Sequence, residues 1–559
     1  VFRPKKVNHF TWRFRFILLV LALAAAALSW RMIDLMVLKR HFLMNQGDAR
    51  MVRTVQTQAY RGMITDRFGD PLAISTPVDA AWADPQVVAG VEPQKLAQLA
   101  KVLELPNVTL TKLLSNKNRE FIYLKRQLTP VQSDQVKALN IPGVFLKREY
   151  RRYYPEGEVT AHVVGLTNVD DRGQEGLELA YNKQLEGIPG LKRVIKDRDG
   201  HIVSELNELR EPKAGQNVTL SIDRRVQYIA YRELKEGVAK YKAASGSAVV
   251  LDIHTGEVLA MVSQPSFNPN DRPSVHDGRF RNTAVTDVFE PGSTIKPFSV
   301  ALGLDSGKFT PDTVIDTRPG WMRVGAGVVR DEHSSGLWTV TKILQVSSNM
   351  GVSKIILSLP PDSLYNLLKK MGLGETTGSG FPGERAGSLA ERRVWAPFIV
   401  ATLSFGYGLS VTTLQLAQLY AILGSGGLER PISFLKVTES PAGIRMLSEK
   451  TADSIVDMLK SVVEPGGTAT RARVPAYWVS GKTGTARLVG SHGYEKDRHN
   501  VVFAGLTPAT NPQLVVVVFV HDPQGKYSEG GNVAAPIFAK ITSGVLRVLN
   551  IQPDHLGNQ

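Results

Sequence analysis

The chain has 559 residues, 43% hydrophobic and 21% charged, with a formal net charge of +15 and no cysteine. That length suggests about three or four domains, and the composition is globular, which excludes large-scale disorder. The missing thiols exclude disulfides, thiolate metal sites and cysteine nucleophiles. The scattered Lys and Arg, with no aromatic RNA-binding signature, speak against a nucleic-acid partner.

The N-terminal tail, residues 1–15, carries Arg3, Lys5, Lys6, Arg13 and Arg15 and no acid. FILLVLALAAAALSW follows at residues 16–30, bounded by Arg31. This run is shorter than the roughly 20 residues of a typical span. Trp12 and Trp30 suit the two interfaces, however, and Arg15 and Arg31 can snorkel. Apolar residues resume in MIDLMVL, so an uncleaved anchor over residues 16–38 is expected rather than a cleaved signal peptide. The flanking cations orient the tail to the cytoplasm and everything after the anchor outside.

Residues 45–215 are mixed and turn-rich. PQKLAQLAKVLELP spaces its leucines for a helix, while GVFLKREYRRYY and VTAHVVGL read as strands. RGMITDRFGDPLA combines turn chemistry with ion-pair potential. DDRGQEGLELAYN holds Glu175 and Glu178, read as carboxylates at a helix start rather than an acid–base couple. No serine–lysine, serine–histidine or metal-ligand cluster stands out here, so this part reads as structural.

LREPKAGQNVTLSIDRRVQ marks a boundary, with a helix capped at Asp223. GSAVVLDIHTGEVLAMV reads as a hairpin; NVVFAGLTPA and QLVVVVFVHDP are two more strands near the end. Strands at both ends with helical patterns between them predict an antiparallel sheet covered by helices, an α/β-type mixed layer. The whole is expected to be a multi-domain α/β (α+β) protein.

Chemistry concentrates in FEPGSTIKPFSVALGL. A helix opening at Ser293 would put Ser293 and Lys296 on one face. A serine needs a base, and a lysine is one only when burial or a neighbouring cation keeps it neutral. Ser-x-x-Lys recurs at Ser433–Lys436, but there the alternating pattern reads as a strand and the copy as accidental. Two later stretches accompany Ser293: LQVSSNMGVSK, with Ser347 and Asn349, and WVSGKTGTARLV, with Lys482, Thr483, Gly484 and Thr485. Ser347 can relay a proton to a leaving amine, and Asn349 can hydrogen-bond a substrate amide and the lysine. Lys482 offers charge to a carboxylate. Thr483 and Thr485 offer hydroxyls on an edge strand, and Gly484 permits close backbone approach. Ser266-Phe267-Asn268 fits the middle pattern but precedes the nucleophile.

The order Ser-x-x-Lys, Ser-x-Asn, Lys-Thr-Gly is the active-site triplet of penicillin-binding proteins and serine β-lactamases. With RGMITDRFGDPLA, RRYYPEGEVTAHVVGLTN, SFGYGLSVT and SGKTGTA beside it, the chain resembles a class B penicillin-binding protein. It is closest to the septal type of Gram-negative bacteria. The resemblance implies a monofunctional D,D-transpeptidase that acts on peptidoglycan stem peptides through an acyl-enzyme on Ser293. β-Lactam antibiotics would occupy the same serine covalently. The backbone N–H groups of Ser293 and Thr485 would form the oxyanion hole. It further implies a non-catalytic pedestal over residues 45–215 and a transpeptidase domain over 216–559. Expected partners are the inner membrane, a SEDS-type glycan polymerase and other division proteins, with no cofactor and no metal. Alternatives are a carboxypeptidase or β-lactamase-like hydrolase, and a non-catalytic division scaffold. Septal relatives often carry an aromatic residue where His499 stands, with His492 nearby; protonation of His499 would then tune binding.

Overall fold

A computed structural model describes residues 10–196, 202–271, 278–332, 335–490, 493–525 and 528–555; His492 lies outside them. A helix over Phe10–Ile33 continues through a wider π turn, Asp34–Leu38. The 28 residues Thr11–Leu38, with mean hydropathy 2.2, are long and apolar enough to cross a membrane. The apolar stretch thus extends on both sides of residues 16–30. Asp34 does not interrupt it, because Arg31 and Lys39 pair with its carboxylate at 2.7 and 3.0 Å.

The chain divides into two units. The first comprises residues 1–60, 77–150 and 187–214. Its three-stranded antiparallel sheet joins Val52–Thr57, Gly190–Lys196 and Ile202–Arg210 in that order. A separate core gathers Ala81, Leu99, Leu103, Leu124, Leu128 and Val136. The leucines of the expected helix, Pro93–Val102, supply one of its walls, as their spacing required.

The second unit comprises residues 61–76, 151–186 and 215–559. Here α1 (Arg224–Lys240) is capped by Asp223, whose side chain accepts from Arg225 N. β1 (Ser245–Asp252) and β2 (Val258–Gln264) form the expected hairpin. There follow α2 (Lys296–Asp305), α3 (Val340–Val346), α4 (Asn349–Leu357) and α5 (Thr413–Gly424). β3 (Ser480–Gly490), β4 (Gly493–Thr507), β5 (Leu514–His521) and α6 (Ala534–Val548) complete the unit. The five strands pair antiparallel in the order β2-β1-β5-β4-β3, leaving β3 at an edge.

Both faces of this sheet are covered, and the pleat shows how. A Cβ on Gly246 would meet Val238 and Leu234 of α1, whereas the next residue, Ser247, shares a 2.7 Å hydrogen bond with Thr413 of α5. The strand residues from Leu514 to Val520 are accordingly buried without alternation.

Residues 61–76 and 151–186 organise around buried ions. Glu178 receives Arg61 Nη2 at 2.6 Å and Arg152 Nε at 2.6 Å, and all three side chains are shielded from solvent. Arg61 also donates to Asn182 Oδ1 and to the carbonyls of Asp171 and Glu178. Glu178 is therefore structural, held by ion pairing rather than by a helix dipole. The VTAHVVGL run departs from expectation: Ala161–Val164 is one helical turn, not a strand. Its apolar residues are buried all round, and so short an apolar run carries no period to separate the two forms.

Candidate active site

Ser293 stands on a single 3₁₀ turn, Gly292–Ile295, and the α-helix proper begins at Lys296. This corrects the expected helix start and places Pro297 second in the helix. In the first turn of α2 its missing N–H has no intrahelical partner to lose. Lys296 thus follows Ser293 by three residues, at the junction of the 3₁₀ turn and α2. Gly292 has φ +54°, and a Cβ there would stand 3.3 Å from Thr485 O and 3.7 Å from Thr485 N. Edge strand β3 is thus pressed against the turn. Gly484 makes this possible, since a Cβ on it would approach Pro291 O to 2.6 Å. The close approach expected at Gly484 is made by the chain's own backbone.

Ser347 sits between α3 and α4 with φ +61°, a left-handed conformation that costs a non-glycine residue on the order of 1 kcal/mol or more. Its neighbours hold it there. Ser348 caps α4, its Oγ accepting from Gly351 N, and donates to Asp331 Oδ2 at 2.8 Å; Met350 N donates to Asp331 Oδ1 at 2.9 Å. The Ser347 hydroxyl is thereby set between two amines. Lys296 Nζ donates to Ser347 Oγ at 3.0 Å and to its carbonyl at 2.5 Å, and Lys482 Nζ donates to the same Oγ at 2.9 Å.

Both lysines are almost fully buried, at 1% and 0% exposure. Burial lowers the Lys296 amine to about 7, against the opposing pull of the Asp331 and Glu332 carboxylates. Lys482 lies well below its ordinary value, first through burial and then through the like charge of Lys296. Burial thus acts on Lys296 in the direction that the sequence requires of a base.

Asn349 departs from expectation. Its side-chain amide donates to Arg330 O at 2.9 Å, and Lys296 bonds to Ser347 in its place. Among the described residues the Ser293 hydroxyl has no hydrogen-bond partner, and it opens into a cleft of about 210 Å³. Ser347, Asn349, Thr483 and Thr485 line the same cleft. Thr485 Oγ1 accepts from Gly530 N at 3.1 Å, and Thr483 Oγ1 lies 3.1 Å from Thr468 Oγ1. Five of the eight candidate site residues thus line one cleft, Lys296 and Lys482 reach it through the Ser347 hydroxyl, and Gly484 stands between Thr483 and Thr485 on β3.

The remaining copies fall elsewhere. Ser433 and Leu435 make isolated bridges to Glu257 and Leu220, so the second Ser-x-x-Lys is extended. Ser266 Oγ donates to Glu158 O, and Asn268 Oδ1 accepts from Asn270 N. His499 lies on β4 opposite Arg487 and lines the cleft, its Nδ1 3.5 Å from Ser528 Oγ. Sequence reasoning missed Asp331, Glu332, Tyr407 and Thr468. Only Tyr407 lay in a quoted segment, SFGYGLSVT, and no spacing rule links any of the four to Ser293.

Two family descriptions match the chain: "Penicillin binding protein transpeptidase domain" over residues 246–543 and "Penicillin-binding Protein dimerisation domain" over residues 56–220. The chain is 43% identical over 564 aligned residues to the peptidoglycan D,D-transpeptidase FtsI of Escherichia coli (strain K12), covering 99% of this chain and 95% of that protein. It is 41% identical to the probable peptidoglycan D,D-transpeptidase PbpC of Pseudomonas aeruginosa, over 97% of this chain and 96% of the other. Among solved structures it resembles a peptidoglycan synthetase from Bifidobacterium adolescentis, with 25% identity and a TM-score of 0.72. That alignment covers 91% of this chain and 98% of the other.

Proposed function

The chain belongs to the penicillin-binding protein transpeptidase family, and on that premise we propose that it cross-links peptidoglycan stem peptides through an acyl-enzyme on Ser293. Its reaction class is that of a peptidoglycan D,D-transpeptidase of the septal type. The observation that carries the serine mechanism is the buried Lys296 amine, lowered to about 7, three residues on from a serine hydroxyl that has no hydrogen-bond partner among the described residues.

In the first half-reaction Ser293 Oγ attacks the carbonyl of the penultimate D-Ala, and neutral Lys296 takes its proton. The N–H groups of Ser293 and Thr485 receive the developing oxyanion; the close contact of Gly292 with the Thr485 backbone supports this. The C–N bond breaks, and the proton passes by Ser347, which touches both lysines, to the departing D-Ala amine. Lys482 faces the substrate carboxylate, whose arrival favours the charged form that burial disfavours. In the second half-reaction the amine of a neighbouring stem attacks the ester, its proton returns through the same groups, and Ser293 is released. A β-lactam opened by Ser293 leaves no group to depart and blocks that entry. Asn349 steadies the substrate amide through its remaining amide oxygen.

The apolar helix Thr11–Leu38 fits single-pass anchoring in the inner membrane. The cationic tail orients it with the tail cytoplasmic and the catalytic unit periplasmic, where a SEDS-type polymerase and other division proteins are the proposed partners. The test is intact mass after incubation with benzylpenicillin. The parent is expected to gain one stable adduct and Ser293→Ala none; equal labelling of both rejects the site.

A further inference from the structure

Beside the catalytic cleft lies a second cavity of about 430 Å³, and Arg487 lines both. Phe289 and Phe519 line the second cavity, their rings stacked with centroids 4.1 Å apart. Its rim carries Arg281, Arg385 and Arg487 against Asp287 and Glu290. Both carboxylates are already engaged. Asp287 holds Arg281 at 3.2 Å and accepts from the Thr286 hydroxyl, while Glu290 accepts from the Tyr494 hydroxyl and from Gly408 N. Arg385 and Arg487, both exposed, have no carboxylate partner among the described residues. The cavity therefore presents two uncommitted guanidinium forks, the geometry that best matches a carboxylate.

The sheet indicates what would enter it. β3 is an edge strand, so an extended substrate can add to it through backbone hydrogen bonds. If the substrate's terminal carboxylate lies at Lys482 and Thr483 and it runs antiparallel to β3, its residues on the amino side of the scissile bond lie along Arg487. A further residue or two, at about 3.3 Å each, carries it past Arg487 into the second cavity. We propose that this cavity is a substrate annex in which Arg385, with Arg487, binds a carboxylate on the donor stem peptide, amino-terminal to the scissile D-Ala–D-Ala bond. The annex rests on the transpeptidase reading and adds to it the requirement for an acidic donor.

The test uses the full chain in detergent and two synthetic donor pentapeptides, identical except that the acidic side-chain or α-carboxylate is free in one and amidated in the other. D-Ala release is measured for the parent, Arg385→Gln and Arg385→Lys. The parent is expected to favour the acidic donor about fivefold in kcat/KM, chiefly through KM, as suits a partly exposed charge-assisted pair. Arg385→Gln brings the ratio to about one, Arg385→Lys retains part of it, and added salt shrinks it in the parent. Benzylpenicillin acylation of Ser293 stays unchanged in both variants. A ratio of one in the parent, or the same preference in Arg385→Gln, overturns the annex. If Arg385→Gln does not fold, the salt dependence in the parent decides, and a salt-independent preference overturns it. Loss of penicillin acylation in the parent removes the transpeptidase reading itself; normal acylation without charge preference removes only the annex.

Discussion

Two of the places where the larger unit buries charge do so in opposite ways. Around Glu178 the buried groups are of opposite sign: Arg61 and Arg152 each reach the carboxylate at 2.6 Å, and further hydrogen bonds from Arg61 reach Asn182 and two carbonyls. Around Ser347 the buried groups are of like sign: Lys296 and Lys482 share one hydroxyl, and among the described residues no carboxylate bonds either amine. Pairing compensates desolvation in the first set, so it fastens residues 61–76 to residues 151–186. Lack of pairing leaves desolvation uncompensated in the second, and an amine gives up its proton. Burial with a counter-ion yields architecture; burial without one yields a base.

The most severe way to break this comparison is Lys296→Met. Acylation by benzylpenicillin is expected to fall by about 10³-fold or more, because base and proton relay disappear together. Thermal stability should stay level or rise, since an uncompensated buried amine is replaced by an apolar chain. A large fall in melting temperature would instead make Lys296 a structural residue. The converse substitution is Glu178→Gln. It leaves two buried arginines without an anion and should cost about 3–5 kcal/mol of stability in denaturant unfolding, while folded protein still acylates at close to the parent rate. If activity is lost and stability kept, the two regions are not separable in the way described.

pH sharpens the contrast. Lys296 acts as a base only when neutral, and its midpoint is about 7. The acylation rate should therefore plateau above that pH and fall about tenfold per unit below it. A flat profile from pH 5 to 8 would rule Lys296 out as the base. The smallest expected effect belongs to Asp331→Asn. The Asp331 carboxylate favours the charged amine, so removing it lowers the Lys296 midpoint and moves the acid limb of the profile to lower pH by less than about one unit. A shift in the alkaline direction would contradict the assigned sign.

Much of the site was legible because its motifs are short and each works within one element. Ser293 and Lys296 are three residues apart, Ser347 and Asn349 two apart, and Lys482 to Thr485 are consecutive on one strand. The sheet was legible for a related reason: Leu514 to Val520 is an unbroken apolar run, and its β-branched valines favour a strand covered on both faces over a helix. VTAHVVGL misled because a short buried run such as Ala161, Val163 and Val164 looks alike in a helical turn and in a strand. Asn349 misled because its partner is a carbonyl, Arg330 O, and carbonyls leave no trace in side-chain identity. Asp331 was invisible because its role, pinning Ser348 and Met350, rests on a loop folding back over seventeen residues.

Residue order by itself determined which segments could be helix, strand or span, and which side chains could supply a nucleophile, a base and hydroxyl donors. Those properties depend on neighbours within a few positions, where chain geometry is fixed by bond lengths and the 3₁₀, α or β repeat. Tertiary structure alone decided that Lys296 and Lys482, 186 residues apart in number, meet at one hydroxyl, and that Glu178 meets two arginines. Proton affinity follows from solvent exclusion and from the charges within a few ångströms, and both come into being only when distant segments pack together.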